Sequence, residues 1–137
     1  MRSRRLSLRM AERILIVDDE ADMASLLAFN FSRAGFSVAT AGDGSEAFEK
    51  ARMLLPDAIV MDVRMPVLDG PAVCRMLQNV PATRDIPVVL ITGQGNDRTR
   101  DEGLRSGAVD YLQKPFSQRE IVSRVLAALS HSRDRGN

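Results

Sequence analysis

The chain is poor in the features that mark secreted, disulfide-bonded or membrane-embedded proteins. Its 137 residues contain one cysteine, which excludes an internal disulfide. No run approaches the roughly 18 consecutive apolar residues that span a bilayer. The Arg-rich start also has no apolar stretch of the kind found in signal peptides. We therefore expect a soluble, cytoplasmic protein that does not contact a membrane.

Two further absences narrow the function. Neither glycine-rich loop that holds nucleotide phosphates, G-x-x-x-x-G-K-[ST] or G-x-G-x-x-G, occurs in the sequence. An excess of basic charge is also missing, since 19 Lys and Arg residues are balanced by 18 Asp and Glu residues. Because four of the arginines lie in the first ten residues, the remainder is mildly acidic. We therefore predict that the body of the protein does not bind nucleic acid.

What the sequence does contain is a regular alternation of short apolar runs and amphipathic stretches. Strands are predicted at residues 13–17, 36–40, 59–62, 88–92 and 109–112, and helices at about 23–34, 43–55, 71–79, 97–106 and 117–130. The apolar runs are continuous, which is typical of parallel strands buried on both faces. We predict an α/β domain over residues 13–130, with five helices on a doubly wound five-stranded parallel sheet. A flexible basic arm (1–12) would precede it and a polar tail (131–137) would follow it.

Polar residues lie where four of the predicted strands end. Asp18 and Asp19 follow the first strand, Asp62 ends the third, Thr92 ends the fourth, and Lys114 follows the fifth. The carboxyl ends of parallel strands meet at one edge of the sheet, where ligands bind in open α/β folds. The sequence therefore predicts a site of three carboxylates, one hydroxyl and one ammonium group.

The chemistry of this set favours a metal ion and a phosphoryl group. Three neighbouring carboxylates either protonate in part or hold a hard divalent cation, and oxygen ligands alone favour Mg²⁺. A lysine and a threonine beside the cation can bind phosphoryl oxygens. Because no nucleotide-binding loop is present, Asp62 can itself be the nucleophile that forms an aspartyl phosphate. Its stretch alone is equally explained by an aspartate that starts a turn with Pro66 and Gly70.

Four short motifs follow the strands in a set order: Asp-Asp, then Asp with Met-Pro and Asp-Gly, then Thr-Gly, then Lys-Pro-Phe. Through them, residues 13–130 resemble the receiver domains of bacterial two-component response regulators. The resemblance implies a flavodoxin-like sheet of order 2-1-3-4-5. It also implies a signalling protein and not an enzyme, although such a domain would catalyse its own phosphorylation and slow dephosphorylation.

The resemblance further implies how the phosphoryl group is received. Asp62 would accept it from a sensor histidine kinase, a histidine phosphotransfer protein or a small phosphodonor. Mg²⁺ would be the cofactor, held directly by Asp19 and Asp62, largely through water by Asp18, and by the backbone carbonyl of Arg64. Lys114 would contact the phosphoryl oxygens.

A switch and a binding surface are implied as well. Thr92 would move toward the phosphoryl group, and Tyr111 would rotate into the space that it leaves, which changes a surface for a partner. In DNA-binding members that surface, formed by the fourth helix, fifth strand and fifth helix, mediates homodimerisation. Asp110 and Arg124 match that pattern, whereas Val109 replaces an acidic residue common there.

Two other functions compete with this interpretation. Phosphatases that use an aspartyl phosphate usually need a second aspartate two residues after the nucleophile, and Arg64 stands there instead. A pseudo-receiver would bind partners without phosphorylation, but such members usually lose one of the site residues, and the set here is complete. The pseudo-receiver remains the alternative.

Overall fold

Five strands and five helices alternate along the chain in this computed structural model, which describes residues 11–93 and 97–136. The strands are β1 (Arg13–Val17), β2 (Ser37–Ala41), β3 (Ala58–Asp62), β4 (Val88–Thr92) and β5 (Asp110–Gln113). The helices are α1 (Ala21–Arg33), α2 (Gly44–Leu54), α3 (Gly70–Gln78), α4 (Asp97–Arg105) and α5 (Gln118–Gly136). Residues 1–10 of the predicted basic arm lie outside the described residues.

The strands form one parallel sheet in the order β2-β1-β3-β4-β5. The register pairs Val17 with Met61 and Thr92 with Gln113, so the strands end nearly level. The predicted doubly wound sheet and its strand order are therefore confirmed. As a consequence, the carboxyl ends of β1, β3, β4 and β5 lie at the same edge.

Helices cover both faces of the sheet, which explains why the strands are apolar without alternation. In β1, Leu15 and Val17 belong to a core that includes buried residues of α2 and α3. Ile14 and Ile16 belong to a second core, with buried residues of α1 and α5. All four side chains are fully buried. The sheet is thus a rigid layer that holds the strand ends in place.

Side-chain caps set the start of three helices. Asp43 and Asp69 accept backbone N–H groups of the first turns of α2 and α3 at 2.7 and 2.9 Å. Ser117 does the same for α5 by accepting the Glu120 N–H at 3.0 Å, as its Ser-x-x-Glu spacing predicts. These caps fix where the loops at the carboxyl edge of the sheet end and the helices begin.

Most element bounds lie within two residues of the sequence prediction, and two differences matter for the surface of the domain. β5 begins at Asp110, which leaves Val109 outside the strand and 41% exposed. α5 continues past the predicted end at Ser130 to Gly136, because no proline or glycine interrupts residues 131–135. None of the helices in the described part of the chain combines the length and apolar character needed to cross a bilayer.

Candidate functional site

The polar residues predicted at the sheet edge lie at neighbouring strand ends. Asp62 is the last residue of β3 and Thr92 of β4, while Asp18 directly follows β1 and Lys114 directly follows β5. The Lys114 backbone N–H donates to the Thr92 carbonyl at 2.7 Å, which ties the ends of β4 and β5 together. The Lys114 ammonium nitrogen lies 4.0 Å from Asp62 Oδ2. The edge therefore brings the Lys114 ammonium to the outer limit of ion-pair distance from the Asp62 carboxylate.

Three carboxylates form a compact group at this edge. One carboxylate oxygen from each of Asp18, Glu20 and Asp62 lies within 4.8 Å of the other two. Asp18 and Asp62 are 2% and 5% exposed, whereas Glu20 is largely exposed. Asp19, for which the family resemblance implies a direct ligand role, is exposed and lies outside this group, and that role stays a prediction. Glu20, the third acid of the Asp-Asp-Glu run and the one with the longest side chain, joins the group although it is not among the predicted site residues.

The donor set suits a hard divalent cation. Asp18 Oδ1 accepts the Glu20 N–H at 2.9 Å, whereas Asp18 Oδ2 is buried and makes no hydrogen bond. A buried carboxylate oxygen without a partner is costly, and a cation would remove that cost. The ligand oxygens of six-coordinate Mg²⁺ lie ~3 to ~4.2 Å apart, close to the spacing of this group. The residues present therefore fit Mg²⁺, with Asp18 and Asp62 as its buried carboxylates.

Burial dominates the acid–base behaviour of the two buried aspartates. It raises the pKa of Asp62 to about 6, against the opposing effect of the Lys114 charge and with a smaller upward effect from Asp18. Burial also raises the pKa of Asp18, and the hydrogen bond from the Glu20 N–H opposes that rise. At pH 7 most Asp62 side chains are nevertheless ionised. The carboxylate is thus available as a nucleophile, at a cost to the stability of the fold.

The loop from Val63 to Asp69 follows the candidate nucleophile and has a tightly constrained backbone. The N–H of Gly70 donates to the carbonyl of Val63 at 2.8 Å and closes the loop. The N–H of Leu68 donates to the carbonyl of Pro66 at 2.8 Å, which forms a γ-turn around Val67 at a φ of 70°. A β-branched residue rarely adopts a positive φ, so the surrounding contacts must hold this turn in place.

Two glycines allow the loop to pack closely. A Cβ added to Gly44, at the start of α2, would lie 2.7 Å from both Cβ and the carbonyl oxygen of Leu68. A Cβ on Gly70 would lie 2.8 Å from the Asp62 carbonyl oxygen. The loop is thereby held against the end of β3, where Asp62 Oδ1 accepts the Arg64 N–H at 3.3 Å. The backbone of Arg64 thus lies beside the carboxylate, while the ligand role of its carbonyl stays a prediction.

The two predicted switch residues lie in the core next to this site. Thr92 is fully buried, and Tyr111 is 8% exposed. A Cβ on Gly103 of α4 would lie 3.4 Å from Tyr111 Cδ2 and 3.0 Å from Leu90 Cδ1, so α4 packs directly over the tyrosine ring. Motion of Tyr111 would therefore be felt by α4, and the exchange with Thr92 stays a prediction.

The sequence and the fold both match known proteins. The sequence model of one protein family, the response regulator receiver domain, matches residues 14–126 of this chain. A curated relative, the alkaline phosphatase synthesis transcriptional regulatory protein PhoP of Bacillus subtilis, is 43% identical over 123 residues. The alignment covers 90% of this chain and 50% of PhoP. The chain therefore spans about half the length of that relative.

Solved structures share the whole domain. A candidate response regulator from Chloroflexus aurantiacus superposes with a TM-score of 0.84 at 37% identity, over 88% of this chain and 98% of that one. The signal receiver domain of a signal transduction histidine kinase from Syntrophus aciditrophicus gives a TM-score of 0.81 at 36% identity, over 88% and 92% of the two chains. The same fold thus occurs in a response regulator and in the receiver domain of a histidine kinase.

Proposed function

Since the chain belongs to the family of response regulator receiver domains, we propose that it is a phosphorylation-controlled signalling domain with Asp62 as the phosphoryl acceptor. The observation that carries the proposal is the setting of Asp62. Its buried carboxylate ends β3 with the Lys114 ammonium 4.0 Å from Oδ2 and a carboxylate oxygen of Asp18 within 4.8 Å. A cation beside the two carboxylates and an anion beside the ammonium would complete the site, and Mg²⁺ with a phosphoryl group provides both.

Asp62 acts as the nucleophile in this proposal. One ionised carboxylate oxygen attacks the phosphorus of a phosphohistidine on a sensor histidine kinase or a histidine phosphotransfer protein. As the new P–O bond forms, the P–N bond breaks, and the histidine leaves with the bonding electron pair and takes up a proton. With acetyl phosphate, the bond that breaks is the P–O bond to acetate. Slow attack by water later releases phosphate, so the domain serves as a timed signal and not as an enzyme for a separate substrate.

Charge at the site is neutralised from two sides. Mg²⁺, when bound, stabilises the negative charge that builds up on the phosphoryl oxygens. Asp18 and Asp62 would hold it from the buried side, and Asp19 with the Arg64 carbonyl completes the set that the family resemblance implies. Lys114, which is 20% exposed at its side chain, is near enough to pair with the phosphoryl oxygens from the other side.

The new charge on Asp62 is proposed to drive the switch. Thr92, at the end of the adjacent β4, would donate its hydroxyl hydrogen to a phosphoryl oxygen, and Tyr111 would occupy the space that it leaves. The response would pass to α4, where Gly103 is buried and Leu104 partly buried, while the other side chains described, at residues 100–102 and 105, are exposed. A helix held by so little apolar burial can shift at small cost.

The surface formed by α4, β5 and α5 is the proposed site of a partner or of a second copy. On it, Arg124 Nη1 binds Asp110 Oδ1 at 2.8 Å and Oδ2 at 2.9 Å within the same chain. Glu120 lies 3.8 Å from Arg124 Nη2. A homodimer through this surface would have to redirect these charges across the interface. We assign no nucleic-acid or membrane contact to this domain itself, whose body is mildly acidic.

Intact-protein mass spectrometry tests the proposal. Acetyl phosphate or phosphoramidate with Mg²⁺ should add one phosphoryl group, about 80 Da, to the wild-type chain. The gain should disappear with a chelator and in Asp62→Ala. Asp69→Asn is the matched control, because it alters another carboxylate of the same loop while asparagine can still cap α3.

The same experiment separates the alternative function. If neither small donor modifies the wild-type chain, a phosphohistidine protein is the next donor to use. Failure with both kinds of donor would contradict the proposal and favour a pseudo-receiver that binds partners without phosphorylation. Phosphorylation that persists in Asp62→Ala would instead place the acceptor elsewhere.

A further inference from the structure

Glu20 occupies a position that the proposed phosphorylation site does not explain. Its Oε1 lies 3.9 Å from the Lys114 ammonium nitrogen, which in turn lies 4.0 Å from Asp62 Oδ2. The ammonium is thus shared between two carboxylates and in close contact with neither. A carboxylate oxygen of Glu20 also lies within 4.8 Å of the candidate cation ligands Asp18 and Asp62. Glu20 can therefore approach either the lysine or a cation.

The backbone of Glu20 is fixed, while its side chain is not used by the helix. Glu20 is the N-cap residue of α1, but its side chain makes no capping hydrogen bond. Its N–H donates to Asp18 Oδ1 at 2.9 Å, which anchors the residue to the buried carboxylate. The side chain is 69% exposed. It has room to move between two partners at little cost.

A second observation points to a cation at the same place. Asp18 Oδ2 is buried and has no hydrogen-bond partner, and the whole residue is only 2% exposed. A divalent cation drawn to that oxygen would face Glu20 as well as Asp62. Its double charge would attract the exposed Glu20 carboxylate more strongly than does an ammonium group 3.9 Å away.

We propose that Glu20 is an exchangeable carboxylate, which pairs with Lys114 before a divalent cation binds and turns to the cation afterwards. Cation binding would then free the Lys114 ammonium from Glu20, so that it can pair with the incoming phosphoryl oxygens. The release step rests on the proposed function, whereas the exchange between lysine and cation does not. The device would make metal binding prepare the site for phosphorylation.

The lysine content of the chain allows a direct test. Only Lys50 and Lys114 occur in the sequence, so lysine labelled with ¹³C at Cε gives two NMR signals. Lys50 lies on α2, paired with Glu46 at 2.9 Å, and serves as an internal reference. In the wild-type chain, Mg²⁺ should shift the Lys114 signal and leave that of Lys50 unchanged. In Glu20→Gln the Lys114 signal should respond much less, and Mg²⁺ affinity by calorimetry should fall about threefold to tenfold.

Asp22→Asn is the matched control, since it removes an exposed carboxylate two residues further on that is not in the cluster. It should retain wild-type affinity and the wild-type Lys114 shift. The proposal is overturned if the wild-type chain binds no Mg²⁺, if Glu20→Gln binds it within twofold of wild type, or if the Lys114 response is the same in both.

The metal titration needs no phosphodonor, so the two proposals can fail separately. Wild-type phosphorylation together with an unchanged Glu20→Gln titration would overturn the exchange and leave the proposed function intact. A changed titration in a protein that no donor phosphorylates would support the exchange and overturn the proposed function.

Discussion

Strand β3 has a buried aspartate at each end, and the two have different surroundings. Asp57, just before the strand, is 6% exposed, and Asp62, its last residue, is 5% exposed. Asp57 Oδ2 accepts the Arg13 N–H at 2.8 Å, while the Asp57 N–H donates to the Arg13 carbonyl at 2.8 Å. Asp62 instead receives one backbone N–H at 3.3 Å and lies next to Asp18 and Lys114.

The difference shows that burial alone does not decide what an aspartate does. A buried carboxylate that accepts a well-placed backbone N–H ties two strands together. A buried carboxylate beside other carboxylates is destabilising until a cation or another group joins it. We therefore expect Asp57 to stabilise the fold and Asp62 to weaken it in return for chemistry.

Asp62→Asn should give the largest effect. In a chelator at pH 7.5, it should raise the free energy of unfolding by about 2–3 kcal/mol, since each unit of pKa shift corresponds to ~1.4 kcal/mol. The pKa of Asp62 rises from 3.8 to about 6 on folding, mainly because of burial. The wild-type protein should therefore lose stability relative to the variant as pH rises from about 4 to about 6, and little beyond. Urea unfolding followed by circular dichroism over that range measures the difference.

Mg²⁺ provides the control for this pH dependence. Because a cation would bind the ionised form, a saturating concentration should reduce the advantage of Asp62→Asn at pH 7.5. Asp22→Asn should follow the wild-type pH curve throughout, since that exposed residue lies outside the cluster. Parallel curves for wild type and Asp62→Asn in the chelator would mean that Asp62 is not destabilising.

Asp57→Ala should destabilise the fold and leave phosphorylation intact. It should lower the free energy of unfolding by about 2 kcal/mol, because the Arg13 N–H loses its acceptor at the start of β1. Phosphorylation by acetyl phosphate should match that of the wild-type chain at a temperature where the variant is folded, since the change lies at the far end of β3. Loss of phosphorylation without loss of stability would contradict the inference that Asp57 stabilises the fold and takes no part in the chemistry.

The sheet, the helices that cover it and the edge that carries the candidate site could be predicted from the sequence. They follow from the apolar runs and from the polar residues at the strand ends. The continuous apolar runs and the caps predict a parallel sheet covered on both faces. Parallel strands then bring Asp18, Asp62 and Lys114 to one edge without further information. The parallel topology and the order of the motifs are therefore enough to predict that these three residues lie at one edge.

The third carboxylate of the cluster and the contact of Asp57 with Arg13 could not be predicted, because both depend on the local direction of the backbone. Whether Asp19 or Glu20 joins Asp18 depends on how the chain turns from β1 into α1, where Glu20 becomes the N-cap. Asp57 escaped notice because an aspartate after Pro56 at a strand start is indistinguishable from an ordinary turn residue. Its bond to Arg13 joins residues 44 positions apart, and no local pattern predicts such a contact.

Arg13→Ala should give the smallest effect and tests which part of Arg13 matters. The backbone N–H that Asp57 accepts is retained in this variant, and the side chain contributes one 3.3 Å bond from Nη1 to the Leu54 carbonyl. We expect a loss of about 0.5 kcal/mol in the free energy of unfolding, well below that of Asp57→Ala. Because the two residues are hydrogen-bonded to each other, a double-mutant cycle by urea unfolding then measures how much of the Asp57 contribution depends on the Arg13 side chain. A loss for Arg13→Ala as large as that for Asp57→Ala would show that the guanidinium, and not the backbone, carries the interaction at this end of β3.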